Sequence, residues 1–205
     1  PTLASMSSLV STLAFVTIST VGGSINPSIG ANSHSDAFPD PFDFIDLHIG
    51  TGGDGFGVGG SPPGAQFPFG LIKASPDTCD EFGDAWEWRH YGGYYFRDTH
   101  MIGFSHTHMV GSGVQDYGNI LLMPMSERLS SFGIKTKSYI SGFSKKNETA
   151  TTPGFYSVFL DKPSVKVTLA ACSTSVASYT MVWNTPTSST SPRTLLFDLG
   201  HSLGP

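Results

Sequence analysis

Glycine and proline are spaced so densely along this chain that they constrain its fold more than any other feature. The 205 residues include 24 Gly and 14 Pro, and both residue types interrupt helices. No window of about 11 residues keeps the 3.6-residue period of an amphipathic helix. Helices of ordinary length are therefore not predicted, and the chain has to form its core from short strands between turns.

Short runs of β-branched and aromatic residues follow one another through the second half of the chain. In VKVTLAA, the side chains of Val165, Val167 and Leu169 share one face, which is the period of a half-buried strand. Pro124 is expected to end its strand. Strands at this spacing predict a mainly β fold, an antiparallel β-sandwich. The predicted strands span residues 118–125, 154–160, 165–171, 178–183 and 194–200.

The first 40 residues differ in composition from the rest, being low in charge and rich in Ser, Gly and Pro. The run LVSTLAFVTIST, residues 9–20, resembles the apolar core of a secretory signal peptide, although no basic segment precedes it. It is too short and too rich in Ser and Thr for a stable membrane anchor. We expect residues 1–40 to be a signal-peptide remnant with a flexible lead-in, and residues 41–205 to form the ordered domain.

Composition also indicates the location of the protein and the kind of ligand that it binds. Charged residues make up 13%, below the roughly 25% of typical soluble domains. The polarity comes instead from Ser, Thr, Asn and Gly, as suits a secreted protein that meets neutral polar ligands. The net charge of -5, with no cluster of Lys and Arg, argues against nucleic acid as a partner.

Two local features bear on passage through a secretory pathway. Asn147, in the sequon Asn147-Glu148-Thr149, would accept an N-glycan there. Cys79 and Cys172 are the only cysteines. They could pair in an exported chain, or both could be buried thiols, and the sequence leaves these alternatives open.

A glycine-rich segment, His48–Gly70, contains the run GTGGDGFG, which resembles a phosphate-binding loop. A dinucleotide fingerprint needs a helix after it, and Pro62, Pro63 and Pro68 prevent one. Two interpretations stay open. The segment is a long surface loop whose glycines take positive φ, or its backbone lines a ligand site.

The segment GFSHTHMVGSGVQDYGN, residues 103–119, contains two histidines one residue apart. If GFSHTHM is a strand, His106 and His108 share a face. Such a pair begins several zinc or iron sites, with Asp116 or His100 as a possible third ligand, whereas His201 is far along the chain. Alternatively, the pair supports a loop by hydrogen bonds, or binds sugar hydroxyls with Asp116. The last interpretation gains from the aromatic residues upstream, Trp86, Trp88, Tyr91, Tyr94 and Tyr95.

Taken together, five segments of the chain resemble glycoside hydrolase family 92, the calcium-dependent exo-acting α-mannosidases. They cover about residues 44–201 and are IGTGG, PPGAQFPFGLIKASPDT, GGYYFRDTHMIGFSHTHMVGSGVQDYGNILLMP, TPGFYSVFLD and LLFDLGH. The resemblance implies that residues 41–205 are the N-terminal β-sandwich, of the galactose-mutarotase-like supersandwich type, of a two-domain enzyme. The second domain of that family is a helical (α/α)6 barrel. We expect the chain to end before it, and before the last strands of the sandwich.

The resemblance implies an inverting exo-α-mannosidase, of the α-1,2 type, that trims terminal mannose from N-glycans or mannans. Inversion needs an acid and a base about 6.5–9.5 Å apart, and in the family both belong to the helical domain. No catalytic residue is therefore expected in this chain, which should be inactive alone and poorly soluble, with an unpaired sheet edge. The resemblance also implies calcium in the full-length enzyme, with its ligands mainly in the helical domain and thus outside this chain. Calcium prefers oxygen ligands, so His106 and His108 are poor candidates for holding it.

The resemblance also implies that this domain supplies one wall of the mannose site, at the interface with the helical domain. Asp77 and Asp98 lie in family motifs too, and we expect them to cap turns. Two alternatives remain, a stand-alone carbohydrate-binding β-sandwich without catalysis and, more remotely, a metal-dependent hydrolase built on the two histidines. The expected substrate-binding residues are Gly52, Gly53, Trp88, His106, His108 and Asp116, with Trp86 competing for the position of Trp88.

Overall fold

A computed structural model describes residues 39–54, 59–85, 87–111, 117–130, 137–184 and 192–204. Within these ranges the protein is almost entirely β, with two short 3-10 helices at Pro41–Phe44 and Glu87–Arg89. No helix in these ranges is long and apolar enough to cross a membrane. The strands are β1 (Ala65–Gln66), β2 (Lys73–Cys79), β3 (His100–Ser105), β4 (Leu121–Met125), β5 (Ser141–Thr149), β6 (Phe155–Leu160), β7 (Val165–Ala171), β8 (Ala177–Trp183) and β9 (Thr194–Asp198).

The strands form one continuous antiparallel sheet that folds back on itself. Its order is β1-β2-β3-β5-β6-β7-β8, while β4 pairs with β3 and β9 pairs with β4. β1 and β2 also pack against β7, which is not their neighbour in the sheet. Two layers thus face each other across an apolar core, and the mainly antiparallel β fold expected from the sequence is confirmed.

The strand β7 shows how the sequence pattern produces this core. Val165, Val167 and Leu169 are fully buried, whereas Lys166 between them is exposed. β6 and β8 pair with β7 without a register shift and continue the alternation of buried and solvent-facing side chains. The buried face of this three-stranded meander, which includes Tyr156 and Tyr179, belongs to the same core cluster as Phe104 of β3 and Tyr94 of a loop.

The predicted strand 118–125 ends where β4 ends, but its start and the role expected for Pro124 are wrong. The strand begins at Leu121 rather than 118, because Tyr117 and Ile120 have positive φ values of 68° and 58° and turn the chain. It also continues through Pro124, which pairs with Leu195 of β9. β3 pairs with β4 only at Leu122, opposite Phe104, so position 124 has a single paired strand neighbour and a missing N–H is tolerated.

The structure also bears on the expectations for the two histidines and the two cysteines. β3 ends at Ser105, so His106 and His108 follow a strand instead of lying on it, and His108 forms only an isolated bridge with Tyr117. Cys79 is buried in β2 and Cys172 is exposed after β7, and both thiols are free. The alternative of two buried thiols therefore holds for Cys79 alone.

Candidate functional site

A buried ion pair between Asp77 and His108 lies at the centre of the candidate site. His108 Nε2 is 2.8 Å from Asp77 Oδ1 and 3.0 Å from Ser105 Oγ, and His108 Nδ1 is 2.7 Å from the Lys73 carbonyl oxygen. A carbonyl only accepts hydrogen bonds, so Nδ1 must donate, and an ionised carboxylate requires the same of Nε2. The contacts therefore suit a doubly protonated His108 ring beside an ionised Asp77.

A second imidazole binds the other oxygen of the same carboxylate. His201 Nε2 lies 3.0 Å from Asp77 Oδ2, across 124 residues of sequence. β9 pairs with β4, and the residues after β9 then reach β2, so His201 is not remote from the histidine pair as its position in the sequence suggested. The expectation that Asp77 caps a turn is wrong, because Asp77 is a fully buried strand residue between two imidazoles.

The two histidines set the ionisation of Asp77. Burial alone would raise the pKa of the Asp77 carboxyl, but the charge and hydrogen bonds of His108 and His201 hold that pKa well below its usual range. The contact between Asp77 and His201 shifts the pKa of His201 in the opposite direction. Burial lowers the pKa of the imidazole, and the hydrogen bond and charge of Asp77 raise it above its ordinary value. Asp77 is thus an anion that favours a charged His201.

Gly93 closes the pair from one side. Its φ is 80°, and a Cβ at this position would lie 2.1 Å from Asp77 Oδ1 and 3.0 Å from His108 Nε2. The backbone of Gly93 also accepts a hydrogen bond from the Thr78 N–H, which ties the loop to β2. Only glycine meets both the backbone conformation and the close approach.

A cavity of about 370 Å³ opens beside this pair. His90 borders it and is buried, with its Nε2 2.6 Å from Asp98 Oδ2, so Asp98 also serves as an ion-pair partner and not as the expected turn cap. Several polar groups converge here, which is typical of small-molecule sites. The lining includes Asp77, Thr78, His90, Gly93, Lys137, Tyr139, Asp198, His201 and Ser202.

Three of the residues expected from the sequence lie together near Tyr95. The Tyr95 hydroxyl donates to the Gly53 carbonyl at 3.0 Å, and Gly52 packs so closely on Phe96 that a Cβ would lie 2.7 Å from it. The Arg89 guanidinium is 4.5 Å from the centre of the Trp88 ring and 5.4 Å from that of Tyr95. The Tyr95 ring is in turn 5.9 Å from His90, which borders the cavity.

His106 occupies different surroundings from His108. It is buried, its Nδ1 donates to the Ile120 carbonyl at 2.8 Å, and its ring centre is 5.0 Å from that of Tyr179. Burial lowers the pKa of the His106 ring. Both histidines therefore lie beneath the surface with protein partners, and a direct contact between either ring and a sugar would require those partners to move. Asp116, the remaining expected residue, lies outside the described residues.

A second buried polar cluster surrounds Glu148, and sequence reasoning missed it. The hydroxyls of Tyr94 and Tyr156 donate to its carboxylate at 2.9 and 2.5 Å, and His48 Nε2 and Lys145 Nζ each lie 3.3 Å from Oε2. Burial would raise the pKa of Glu148, but the donors around the carboxylate hold it below its usual range. The neighbouring sequon residues Asn147 and Thr149 are exposed on β5.

The signals that could have found the missed residues were present in the sequence. Asp77 and His201 both belong to segments that carry the family resemblance, PPGAQFPFGLIKASPDT and LLFDLGH. Nothing local shows that these segments meet, because their contact depends on the pairing of β9 with β4. Within the described ranges, no three His, Cys, Asp or Glu side chains are arranged to hold a metal ion.

The chain is similar to proteins of one enzyme family. Residues 44–205 match the family model described as the glycosyl hydrolase family 92 N-terminal domain. The fold is similar to that of the family 92 α-mannosidase BT3965 from Bacteroides thetaiotaomicron, with 26% sequence identity and a TM-score of 0.65. This similarity covers 80% of the chain and 20% of that enzyme, which has also been solved in complex with mannoimidazole.

Two further solved structures are similar at comparable levels. The family 92 glycosyl hydrolase ccman5 shares 26% identity with a TM-score of 0.60, over 80% of this chain and 21% of that one. The family 92 inverting mannosidase BT2199 from Bacteroides thetaiotaomicron shares 25% identity with a TM-score of 0.57, over 77% and 19%. No curated protein matches the chain. The chain thus spans about one fifth of the length of these enzymes.

Proposed function

The chain belongs to glycosyl hydrolase family 92, as its N-terminal domain, and we propose that it is the substrate-recognition part of an exo-acting α-mannosidase. Its similarity to solved mannosidases supports this proposal. The relatives are about five times longer than the matched region. The activity is therefore proposed for the polypeptide that carries this domain, and the chain alone is proposed to be inactive.

One observation carries the proposal beyond family membership. Three segments of the family resemblance bring Asp77, His108 and His201 together beside one polar cavity. Its volume of about 370 Å³ falls in the range of about 300–1,000 Å³ that small-molecule sites occupy. Donors and acceptors of both charges line it, which suits the many hydroxyls of a terminal mannose better than an apolar or strongly anionic ligand.

The reaction that we propose is inverting removal of terminal α-1,2-linked mannose from N-glycans or mannans. A similar solved enzyme is an inverting mannosidase, and inversion requires an acid and a base about 6.5–9.5 Å apart with a water between them. The buried carboxylates of Asp77, Asp98 and Glu148 are already engaged by imidazole, phenol or ammonium groups. We therefore assign neither role in this chain and propose that a helical catalytic domain supplies both.

Calcium, which the family uses, does not fit the cavity of this domain. Calcium takes six to eight oxygen ligands, whereas both oxygens of Asp77 are held by the ring nitrogens of His108 and His201. A cation bound there would displace an imidazole and face the second one. We propose that the calcium ligands lie mainly outside this chain, and we assign no step to the ion.

The proposed mannose-facing wall keeps the six residues expected from the sequence, Gly52, Gly53, Trp88, His106, His108 and Asp116. Trp88 and Gly52 are partly exposed and Gly53 is exposed, so a sugar ring could stack there and its hydroxyls could approach the glycine backbone closely. His106 and His108 act from below in this arrangement. Each holds a backbone carbonyl of the wall, at Ile120 and Lys73 respectively.

The proposed partners are mannose-containing glycans and a helical domain of the same polypeptide. A groove of about 1,010 Å³ elsewhere on the surface is bordered by the exposed rings of Phe67, Phe69 and Phe155. An apolar surface of this kind is typical of contact with further protein. We also propose that the protein is secreted and that Asn147 carries a glycan where the host attaches one, which the exposure of the sequon supports.

Two other functions are weaker. A stand-alone carbohydrate-binding domain would use the same cavity, so only the presence or absence of hydrolysis separates it from the enzyme. A metal-dependent hydrolase needs imidazole lone pairs directed at the ion. The His108 contacts argue against it, because Nδ1 donates to the Lys73 carbonyl and Nε2 is shared by Asp77 and Ser105.

The test is the fate of the anomeric centre in the natural polypeptide that carries this chain. It should release mannose from α-1,2-mannobiose, lose activity with a calcium chelator and regain it when calcium is added back. Proton NMR during the reaction should show β-mannose first. Retention of the α-anomer would contradict the inverting mechanism, and no hydrolysis of any α-mannoside, together with mannoside binding, would favour the stand-alone binding domain.

A further inference from the structure

We propose that His201 contacts the substrate in the cavity, and that the buried pair of Asp77 and His108 positions its ring as a cationic hydrogen-bond donor. The contact with mannose rests on the proposed function, whereas the positioning of His201 by Asp77 does not. His201 was not among the substrate-binding residues expected from the sequence, and its assignment depends on the pairing of β9 with β4, after which the chain reaches β2.

The geometry leaves one side of His201 available to a ligand. Its Nε2 is occupied by Asp77 Oδ2 at 3.0 Å. The ring borders the cavity, its side chain is 14% exposed, and no described residue bonds to Nδ1. A ring held at one nitrogen by a fixed anion can present the other nitrogen to a hydroxyl of the ligand.

His108 makes Asp77 a fixed anion. Its ring bridges Asp77 Oδ1 and the Lys73 carbonyl, so the carboxylate cannot rotate without breaking a buried hydrogen bond. Gly93 packs directly on this pair, so that an added Cβ would lie 2.1 Å from Asp77 Oδ1. The arrangement His108–Asp77–His201 is therefore a rigid support with a single ring at the cavity. A support of this kind limits the number of orientations that a donor can adopt.

The charged groups that face His201 come from three parts of the fold. Asp77 of β2 and Asp198 at the end of β9 favour the charged ring, and Lys137 before β5 opposes it. His90 borders the same cavity but is itself paired with Asp98. Two carboxylates against one ammonium leave a balance in favour of a charged His201, in agreement with its raised pKa.

The first test measures the charge of His201 without using activity. Diethyl pyrocarbonate modifies only neutral imidazole, so the modification rate of the His201 peptide against pH, followed by mass spectrometry, gives its midpoint in the natural polypeptide. The midpoint should lie above the ordinary value of about 6.5 and fall to lower pH in Asp77→Asn, which removes the charge that favours the protonated ring. The reaction of His48, which contacts Asp46 and Glu148 instead, should be the same in both proteins.

The second test measures substrate contact. A hydrogen bond from a charged group is worth about 1.5–3 kcal/mol, so His201→Gln should lower kcat/KM for 4-nitrophenyl α-D-mannoside by roughly 10- to 100-fold, chiefly through KM. Asp77→Asn should move the alkaline fall of kcat/KM to lower pH by the same amount as the His201 midpoint. Methyl α-D-mannoside should slow the modification of His201 in the parent protein.

The outcomes separate this inference from the proposed function. If the polypeptide hydrolyses α-mannosides and His201→Gln leaves kcat/KM unchanged, the contact is refuted while the function stands. An unmoved His201 midpoint in Asp77→Asn refutes the positioning. If no α-mannoside is hydrolysed, the function fails and the contact fails with it, but the midpoint still decides the positioning. Where Asp77→Asn does not fold, His108→Asn replaces it, with a smaller fall of the midpoint expected.

Discussion

Asp77 gathers two imidazoles from segments that lie 31 and 124 residues away in sequence. One carboxylate thereby fixes the relative positions of β2, the segment after β3 and the segment after β9. Its environment is closed by Gly93, whose missing side chain leaves space for the pair. The arrangement of the site therefore depends on the size and the charge of these few residues.

Replacing Gly93 by Ala tests this closure. The positive φ costs an L-residue about 1–2 kcal/mol, and the Cβ would lie 2.1 Å from Asp77 Oδ1. Gly111→Ala is a matched control, because Gly111 has φ 70° and nothing within 4 Å of the added Cβ. In urea denaturation, Gly93→Ala should lose clearly more free energy of unfolding than Gly111→Ala. Equal losses would mean that the pair tolerates a side chain there.

The Glu148 cluster predicts an acid-sensitive contribution to stability. Because its pKa is held down in the folded protein, the contribution is present above the unfolded value of about 4.3 and is lost as pH falls through the lower folded value. Glu148→Gln should therefore lower the free energy of unfolding at pH 7 and make it depend less on pH below about 4.3.

Glu127→Gln is the control for that variant. Glu127 pairs with Lys162 at 3.0 Å, but both side chains are about half exposed. Exposed pairs contribute roughly 0–1 kcal/mol, so the pH dependence should stay close to that of the parent protein. If Glu148→Gln retained the full acid sensitivity of the parent, the cluster would not be the source.

At the scale of the elements, the meander of β6, β7 and β8 follows directly from sequence pattern. Its side chains alternate between core and solvent with period two, and its strands pair without a shift. That pattern is local, so it could be predicted. The continuation of β4 through Pro124 could not be predicted, because a proline is tolerated there only for lack of a second strand neighbour, which is a property of the whole sheet.

The alternation in β7 gives a matched pair of substitutions. Leu169→Ala should cost about 2–5 kcal/mol, since it removes a fully buried side chain from the core. Lys166→Ala, on the solvent face of the same strand, should stay within about 0.5 kcal/mol of the parent. The free energy of unfolding from urea titration measures both. Similar costs at the two positions would contradict the assignment of the faces.

The candidate site was less predictable than the fold, for a physical reason. His106 and His108 stood out as a local motif, yet their partners are groups that other parts of the chain supply, among them Ile120, Lys73 and Asp77. Asp77 and His201 belong to separate motifs whose meeting depends on tertiary pairing. The sequence therefore indicated which segments form the candidate site, but only the fold shows which side chains are in contact.

At the scale of the whole molecule, the family resemblance found in the sequence is confirmed by a match over residues 44–205. The domain is a two-layered antiparallel β structure that presents a polar cavity and, elsewhere, a groove bordered by exposed aromatic rings. It corresponds to about one fifth of the solved mannosidases that it resembles. We propose that this fifth recognises the sugar and that the remainder of the polypeptide carries out the chemistry.

Mannoside hydrolysis by the natural polypeptide, compared with its Trp88→Ala variant, tests that division most directly. Trp88 is partly exposed and lies beside Arg89. Loss of an aromatic platform worth about 1.5–3 kcal/mol of burial predicts a kcat/KM at least about tenfold lower for 4-nitrophenyl α-D-mannoside. Phe42→Ala, at an exposed ring, should leave it unchanged. Equal kcat/KM for the parent and Trp88→Ala would contradict a recognition role for this face of the domain.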